Sequence, residues 1–132
     1  MLDEKAIMPT RAHNVDAGLD IYAPRRIVVF SNDFCKVDTG VHIEVPEGYA
    51  AFMKSKSGLM SQGILTDGTI DAGYTGEIGV VLFNFGEVRK IFERGDKIAQ
   101  IVIQKVETPE LVVVDSFKET ERGDGGFGST GK

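Results

Sequence analysis

The chain alternates short runs of β-branched and aromatic residues with clusters of glycine, proline, aspartate and asparagine along its whole length. No stretch of eleven or more residues shows the 3.6-residue hydrophobic period of an amphipathic helix. Short apolar runs bounded by turn-forming residues are typical of strands, so the pattern predicts an all-β fold: a sandwich, a jelly roll or a small barrel. The predicted strands cover residues 26–30, 34–39, 41–45, 49–54, 79–84, 89–92, 97–106 and 111–115.

One short helical turn is predicted after the strand 49–54. The Ser57 hydroxyl can cap the amide of Leu59 or Met60, and Gly63 can end the turn because glycine tolerates the left-handed conformation. No internal repeat and no linker interrupts the chain, so we expect one domain over residues 1–121.

The composition narrows the class of protein. With 132 residues, 42% of them hydrophobic, the chain is long enough to bury one core. A net charge of −5 argues against a binder of duplex DNA, which needs a basic face, but leaves a small anionic ligand open. The single Cys35 cannot form an internal disulfide, and no signal peptide or apolar span is apparent. We therefore expect a cytoplasmic protein.

Residues 122–132 form a glycine-rich tail in which five glycines surround Arg122, Phe127, Ser129 and Thr130. Glycine loses more conformational entropy on ordering than other residues, so we expect a flexible lid that orders on a ligand. The arginine offers a forked cation to phosphate, the hydroxyls add donors, and the phenylalanine offers a flat face to a base or sugar. A featureless flexible terminus is the alternative.

A second candidate feature is Asp71, which lies in the glycine-rich segment 68–76 with Tyr74 three residues later. An aspartate is ionised at neutral pH and can accept a proton from a water that attacks phosphorus. The alternatives are an aspartate that only shapes a turn and a tyrosine that only packs at the core or its rim.

Cations and hydroxyls cluster in residues 53–59, where a strand gives way to the helical turn. Exposed N–H groups at such a place favour phosphate, although a solvated strand end is the alternative. Asp20 is flanked by apolar residues, which suggests an inward carboxylate that needs cationic or N–H partners. His13 and His42 are isolated from any cysteine or carboxylate at metal-ligand spacing.

Five short motifs between about Arg11 and Gly131 follow one another in a recognisable order. They are Ala17-Gly-Leu-Asp20, Lys56-Ser-Gly58, Gly68-Thr-Ile-Asp71-Ala-Gly-Tyr74, Arg94-Gly-Asp-Lys-Ile-Ala-Gln100 and Arg122-Gly-Asp-Gly-Gly-Phe-Gly-Ser-Thr-Gly131. In this order they closely resemble the motifs of the trimeric dUTPase family, the deoxyuridine 5′-triphosphate nucleotidohydrolases. The family usually has Pro-Arg-Ser where this chain has Ser55-Lys56-Ser57, a departure shared with some viral members.

The resemblance implies a homotrimer of distorted jelly rolls whose active sites are shared between subunits. Asp71 would activate the water that attacks the α-phosphorus of dUTP, which gives dUMP and pyrophosphate, keeps uracil out of DNA and supplies dUMP for thymidylate synthesis. Mg²⁺ would bridge triphosphate oxygens, and Asp20 would help to position it through water. The phosphate-binding residues implied are Lys56, Ser57, Gly58, Gln100, Arg122, Gly128, Ser129 and Thr130.

The resemblance also implies how the substrate is selected. Main-chain groups of the hairpin 64–70, with Gly68 and Ile70 among them, would read uracil, and Tyr74 would exclude a ribose 2′-hydroxyl. Phe127 would stack on uracil when the tail of a third subunit closes. Two alternatives stay open: a dCTP deaminase of the same fold, which the intact Phe-Gly-Ser-Thr tail disfavours, and a catalytically silent nucleotide-binding module, which Asp71 disfavours.

Overall fold

In the computed structural model, which describes residues 1–126, short strands follow one another with a single helical turn between the fourth and fifth. The elements are β1 (Gly18–Tyr22), β2 (Ile27–Val29), β3 (Asp33–His42), β4 (Tyr49–Lys54), α1 (Ser57–Met60), β5 (Ile64–Leu65), β6 (Asp67–Ile70), β7 (Glu77–Asn84), β8 (Lys90–Phe92) and β9 (Lys97–Lys105). They form antiparallel sheets with the strand orders β1-β9-β4-β6, β2-β8 and β3-β7-β5.

Strand β7 shows how the sequence builds the core. Ile78, Val80 and Leu82 are buried and alternate with more exposed residues, as the two-residue period of a strand requires. They join Ile21 of β1 and Val29 of β2 in one hydrophobic cluster, so the core lies between the sheets. Each large aliphatic side chain buried there contributes roughly 1.5–3 kcal/mol. This core holds β1, β4 and β9 in place. The polar side chains of the clefts described below lie on these strands or just beyond them.

The pairing of β1 with β9 contains a bulge. Ile21 pairs with Ala99 but Tyr22 pairs with Lys97, so Ile98 is the extra residue on β9. Side chains alternate between the two faces of a sheet, and one extra residue reverses that alternation. The bulge therefore lets both Ile98 and Ala99 be buried and turns Lys97 to the face of the sheet that carries Asp20.

The structure confirms most of the predicted strands and corrects the rest. The strand at 49–54 has the predicted ends, and those at 26–30, 79–84, 89–92 and 97–106 shift by one or two residues. The strands predicted at 34–39 and 41–45 are one strand, β3, which ends at His42. The strand predicted at 111–115 is wrong because that apolar segment has no pairing partner among residues 1–126. Strand β1 was not predicted, since its five residues include Gly18 and Asp20.

The helical turn begins at the predicted residue, but its capping differs. The amides of Leu59 and Met60 both donate to the Lys56 carbonyl at 2.9 Å, and no side chain caps the turn. The prediction that the Ser57 hydroxyl caps it is therefore wrong, since Ser57 is already the first helical residue. Gly63 follows with φ of 77°, as expected of a residue that ends the turn. Within residues 1–126 no helix has the length and apolar character needed to cross a bilayer.

Candidate active site

A polar cleft lies where β4 gives way to α1. Lys56, Ser57, Gly58 and Gln100, four of the predicted phosphate-binding residues, line it together. Lys97, which the sequence analysis did not single out, lines the same cleft. It lies within the motif 94–100, and its membership in that motif was the only sequence signal that could have identified it. The cleft presents ammonium, hydroxyl and amide donors, which is the chemistry that a polyphosphate needs.

Asp20 is the buried anchor beneath this cleft, with only 5% of its surface exposed. Lys56 Nζ donates to its Oδ1 at 2.5 Å, and Lys97 Nζ lies 2.6 Å from its Oδ2. Burial acts to raise the pKa of the Asp20 carboxyl, but the hydrogen bonds from the two lysines outweigh it and hold that pKa below its ordinary value. The expected inward carboxylate with cationic partners is confirmed.

Gln100 is held in the cleft by close packing. Its Nε2 donates to the Ser55 carbonyl at 3.2 Å, and its side chain lies directly over Gly18 on the neighbouring strand. A Cβ at Gly18 would overlap Gln100 Oε1, so a larger residue there would displace the Gln100 amide. Ser55 in turn bonds Thr66, accepting from its N–H at 2.7 Å and donating to its carbonyl at 2.8 Å. These contacts tie the phosphate cleft to the segment 64–70. Its strands β5 and β6 pair with β7 and β4 and not with each other, so the hairpin expected there is wrong.

A second cleft contains Asp71, the predicted general base. Asp71, Ile70 and Tyr74 line it. The Tyr74 hydroxyl donates to the Glu77 carbonyl at 2.9 Å, which fixes the ring beside the aspartate. The cleft also takes in residues that the sequence analysis missed: Thr69, Glu77, Ile78 and Gly79. Gly68 lies one residue outside this lining, paired with Met53 across β4 and β6.

The two clefts lie near opposite ends of β4. Ala51 pairs with Ile70, which precedes Asp71, whereas Lys56 follows the other end of the strand at Lys54. At about 3.3 Å per residue, roughly 15–20 Å separates Asp71 from Lys56 along the backbone. The two linings have no residue in common. One copy of the chain therefore does not place Asp71 beside the predicted phosphate-binding residues.

The tail is described only in its first part. Arg122 is exposed, and its Nε donates to the Gly125 carbonyl at 3.0 Å within a local turn. The predicted substrate contacts of Phe127, Gly128, Ser129 and Thr130 lie outside the described residues.

The fold and the two clefts together define an all-β jelly-roll protein with a divided site, one half suited to a polyphosphate and the other carrying an acid and an aromatic ring. The model of the dUTPase family matches residues 4–131, and the chain belongs to this family. The resemblance read from the five motifs is confirmed.

Known relatives match over nearly full length. Deoxyuridine 5′-triphosphate nucleotidohydrolase of Anaplasma marginale is 48% identical, across 94% of this chain and 88% of the relative. The enzyme of the same name from Clostridium tetani is 42% identical, across 100% and 94%. Among solved structures, the dUTPase of Staphylococcus bacteriophage 80alpha with dUpNHpp superimposes with a TM-score of 0.87 at 33% identity, across 100% of this chain and 96% of the other. These matches confirm the jelly-roll type of fold.

Proposed function

We propose that the chain is a dUTP diphosphatase, which hydrolyses dUTP to dUMP and pyrophosphate. Its relatives are named for that activity, and the chain matches them over nearly their whole length. The observation that carries the proposal is the divided site: Asp71 and Tyr74 share one cleft, while Lys56, Ser57 and Gln100 share another. The first cleft has the acid needed to act as a general base beside a nucleoside, and the second has the donors needed to bind phosphates.

Asp71 is the general base in this proposal. Its carboxylate takes a proton from a water whose oxygen bonds to the α-phosphorus, and the bond from that phosphorus to the bridging oxygen breaks to release pyrophosphate. A positioned base of this kind contributes typically ~10²–10⁴-fold to the rate. Asp71 is exposed in its cleft, where a water can reach it.

Selection of the nucleoside falls to the same cleft. The Tyr74 ring, held by its bond to the Glu77 carbonyl, lies against the deoxyribose and leaves no room for a 2′-hydroxyl. Main-chain groups of β6 around Gly68 and Ile70 read the uracil edge. The two hydrogen bonds between Ser55 and Thr66 hold the segment before β6 against the residue that follows β4.

In this proposal Mg²⁺ binds together with the triphosphate. Mg²⁺ is usually bound through one or two carboxylates plus substrate phosphates, and it supplies neutralisation of the charge that develops on the phosphate oxygens. The two oxygens of Asp20 are each held by a lysine ammonium, so this carboxylate suits an indirect contact through water and not direct ligation. A phage phi11 dUTPase structure, with a TM-score of 0.81 and 31% identity, is described as showing a structural Mg(II) ion.

The active enzyme is a homotrimer in this proposal. The two clefts of one chain are too far apart to share a triphosphate, so each site needs a second copy, and the tail of a third copy closes it. A second copy brings its Asp71 cleft to the lysine cleft of the first. The segment after β9 offers a means of assembly, since Leu111 and Val113 are 93% and 98% exposed and Phe117 is 90% exposed. An apolar segment of this kind gains by burial against a neighbour.

The tail completes the site as a lid over a core domain of residues 1–121. Arg122 and the segment 128–130 close on the terminal phosphates, and Phe127 covers the base, so that water is excluded before attack. The single thiol of Cys35, partly buried and with no second cysteine in the chain, fits a reducing compartment such as the cytoplasm.

The proposal is tested by giving the purified protein dUTP or dCTP with Mg²⁺ and separating the products. Release of dUMP and pyrophosphate from dUTP is the expected result. Conversion of dCTP to dUTP without pyrophosphate would instead identify a deaminase of the same fold. Binding of dUpNHpp in a calorimeter without any turnover of dUTP would identify a silent binding module.

A further inference from the structure

The ion cluster beneath the phosphate cleft has more positive charge than its carboxylate needs. Asp20 carries one negative charge, whereas Lys56 and Lys97 bring two positive charges to its two oxygens. The pair of Asp20 and Lys56 alone is neutral, and a phosphate beside it would meet little net charge. With Lys97 added, the group of three has a net charge of +1. The carboxylate of Asp16, which lines the neighbouring cleft with Asp20, accepts instead from the His13 N–H at 2.9 Å.

The β-bulge at Ile98 brings Lys97 to Asp20. Without the bulge at Ile98, Lys97 would face away from Asp20 and Gln100, because side chains alternate along a strand. Bulges beside functional sites commonly re-aim one side chain in this way. At Lys97, β9 is paired with β1 through Tyr22, and its pairing with β4 begins three residues later at Gln100.

We propose that Lys97 is a positioning residue of the phosphate site: by pairing with Asp20, it leaves the Lys56 ammonium with an uncompensated positive charge for the triphosphate. The inference rests on the proposed function and adds a residue to it. An ammonium has three donors, so Lys56 can turn one of them from Asp20 to a phosphate oxygen. Lys97 keeps the buried carboxylate paired when it does so, and an unpaired buried carboxylate would be costly.

This role follows from residue 56 being a lysine and not an arginine. A guanidinium presents five donors and can serve a carboxylate and a phosphate at once, whereas an ammonium is a single point charge. A second cation on Asp20 compensates for that difference. Lys97 is 43% exposed and Lys56 29%, and both line the phosphate cleft, whereas Asp20 lines the neighbouring cleft that Lys56 and Gln100 share.

The test compares the binding of dUpNHpp and dUMP by calorimetry in the full-length protein with Mg²⁺. We expect Lys97→Gln to weaken dUpNHpp binding on the order of tenfold, as the loss of one charge acting across several ångströms in a partly wet site would. Binding of dUMP, which lacks the β- and γ-phosphates, should change less than about threefold, and Lys97→Arg should bind dUpNHpp like the wild type. Lys105→Gln removes the same charge from an exposed site at the other end of β9 and is the matched control.

A second background separates positioning from direct contact. If Lys97 acts by neutralising Asp20, then Asp20→Asn combined with Lys97→Gln should bind dUpNHpp about as well as Asp20→Asn alone. If Lys97 touches the phosphate itself, the tenfold loss persists in the Asp20→Asn background and the inference is overturned. Should the Asp20→Asn variants not fold, Lys56→Gln replaces them, since Lys97→Gln should have no further effect where Lys56 is absent.

The two proposals fail in different ways. A wild-type protein that neither binds dUpNHpp nor hydrolyses dUTP would contradict the proposed function. A wild-type protein that does both, with Lys97→Gln equal to the Lys105→Gln control, would contradict the role of Lys97 alone.

Discussion

Two aspartates of this chain show how neighbours decide what a carboxylate does. Asp20 is buried and each of its oxygens is held by an ammonium, so it organises cations. Asp71 is exposed in a cleft beside Tyr74, so it is free to meet water. The sequence hinted at this difference, because apolar residues flank Asp20 while glycines surround Asp71. It could not identify the partners of Asp20, since Lys56 and Lys97 are 36 and 77 positions away in the numbering.

Replacing Asp71 with asparagine removes the proposed base and keeps its size. We expect dUTP hydrolysis to slow by at least ~10²–10⁴-fold while dUpNHpp binding stays within a few-fold of the wild type. Steady-state kinetics and calorimetry measure the two quantities. Asp33→Asn, on an exposed carboxylate at the start of β3 and outside both clefts, is the control and should retain turnover. Undiminished hydrolysis by Asp71→Asn would rule out its assigned role.

The pairing of Asp20 predicts a specific dependence of stability on pH. Its pKa in the folded protein lies below the ordinary value of 3.8, so the unfolded chain binds the proton more readily. The stability that Asp20 contributes is therefore fully present above about pH 4 and is lost as the pH falls through the folded pKa. Denaturant unfolding of the wild type and Asp20→Asn should differ by roughly 1–3 kcal/mol at pH 7, and the gap should narrow below about pH 4. A gap that widens on acidification would contradict the pairing.

Among the elements, the sequence predicted best where a strand alternates clearly and ends at a turn. The strand β4 is such a case, and the segment after it ends at Gly63 as expected. Prediction failed where partners far along the chain decide the outcome. The segment 111–115 is as apolar as a strand but finds no neighbour among residues 1–126, and β1 is a strand mainly because β9 pairs with it. The bulge that turns Lys97 to the face of Asp20 depends on the same pairing and could not be predicted from either segment alone.

Gly63, which links α1 to β5, tests whether the backbone there requires a glycine. Its φ is 77°, and a Cβ there would lie 2.8 Å from the Gly86 amide nitrogen. Gly63→Ala should therefore lower the free energy of unfolding by about 1–3 kcal/mol. Gly58→Ala is the matched control, because nothing lies within 4 Å of a Cβ at that helical position. Equal stabilities of the two variants, measured by urea unfolding, would contradict the strained geometry assigned to Gly63.

For the whole molecule, the distance between the clefts is the decisive feature. Tyr74 and Asp71 occupy one end of β4 and Lys56 the other, so the geometry of a single chain favours a site completed by other copies. The motifs in the sequence predicted several residues that line the two clefts. They could not show this division, because it follows from the register of β4 with β6 and β9.

The tail is also proposed to complete the site of another copy. Deleting residues 122–132 should leave cooperative unfolding and the oligomeric state unchanged, because Arg122 contacts only its own turn within the described residues. Turnover of dUTP should fall by at least about 10²-fold if the tail is the proposed lid, which would exclude water and complete the phosphate contacts. Thermal unfolding, size-exclusion chromatography and kinetics measure the three quantities. Loss of cooperative unfolding would show that the tail is part of the core and not a lid.

Mixing two inactive variants tests the division of the site most directly. Asp71→Asn damages one cleft and Ser57→Ala the other, and the two chains are unfolded together in equal amounts and refolded. If each site takes Asp71 from one copy and Ser57 from another, random assembly leaves about a quarter of the sites intact, and dUTP hydrolysis should recover to about a quarter of the wild-type rate. A mixture no more active than the two variants measured separately would show that both clefts must come from the same chain, which contradicts the shared site.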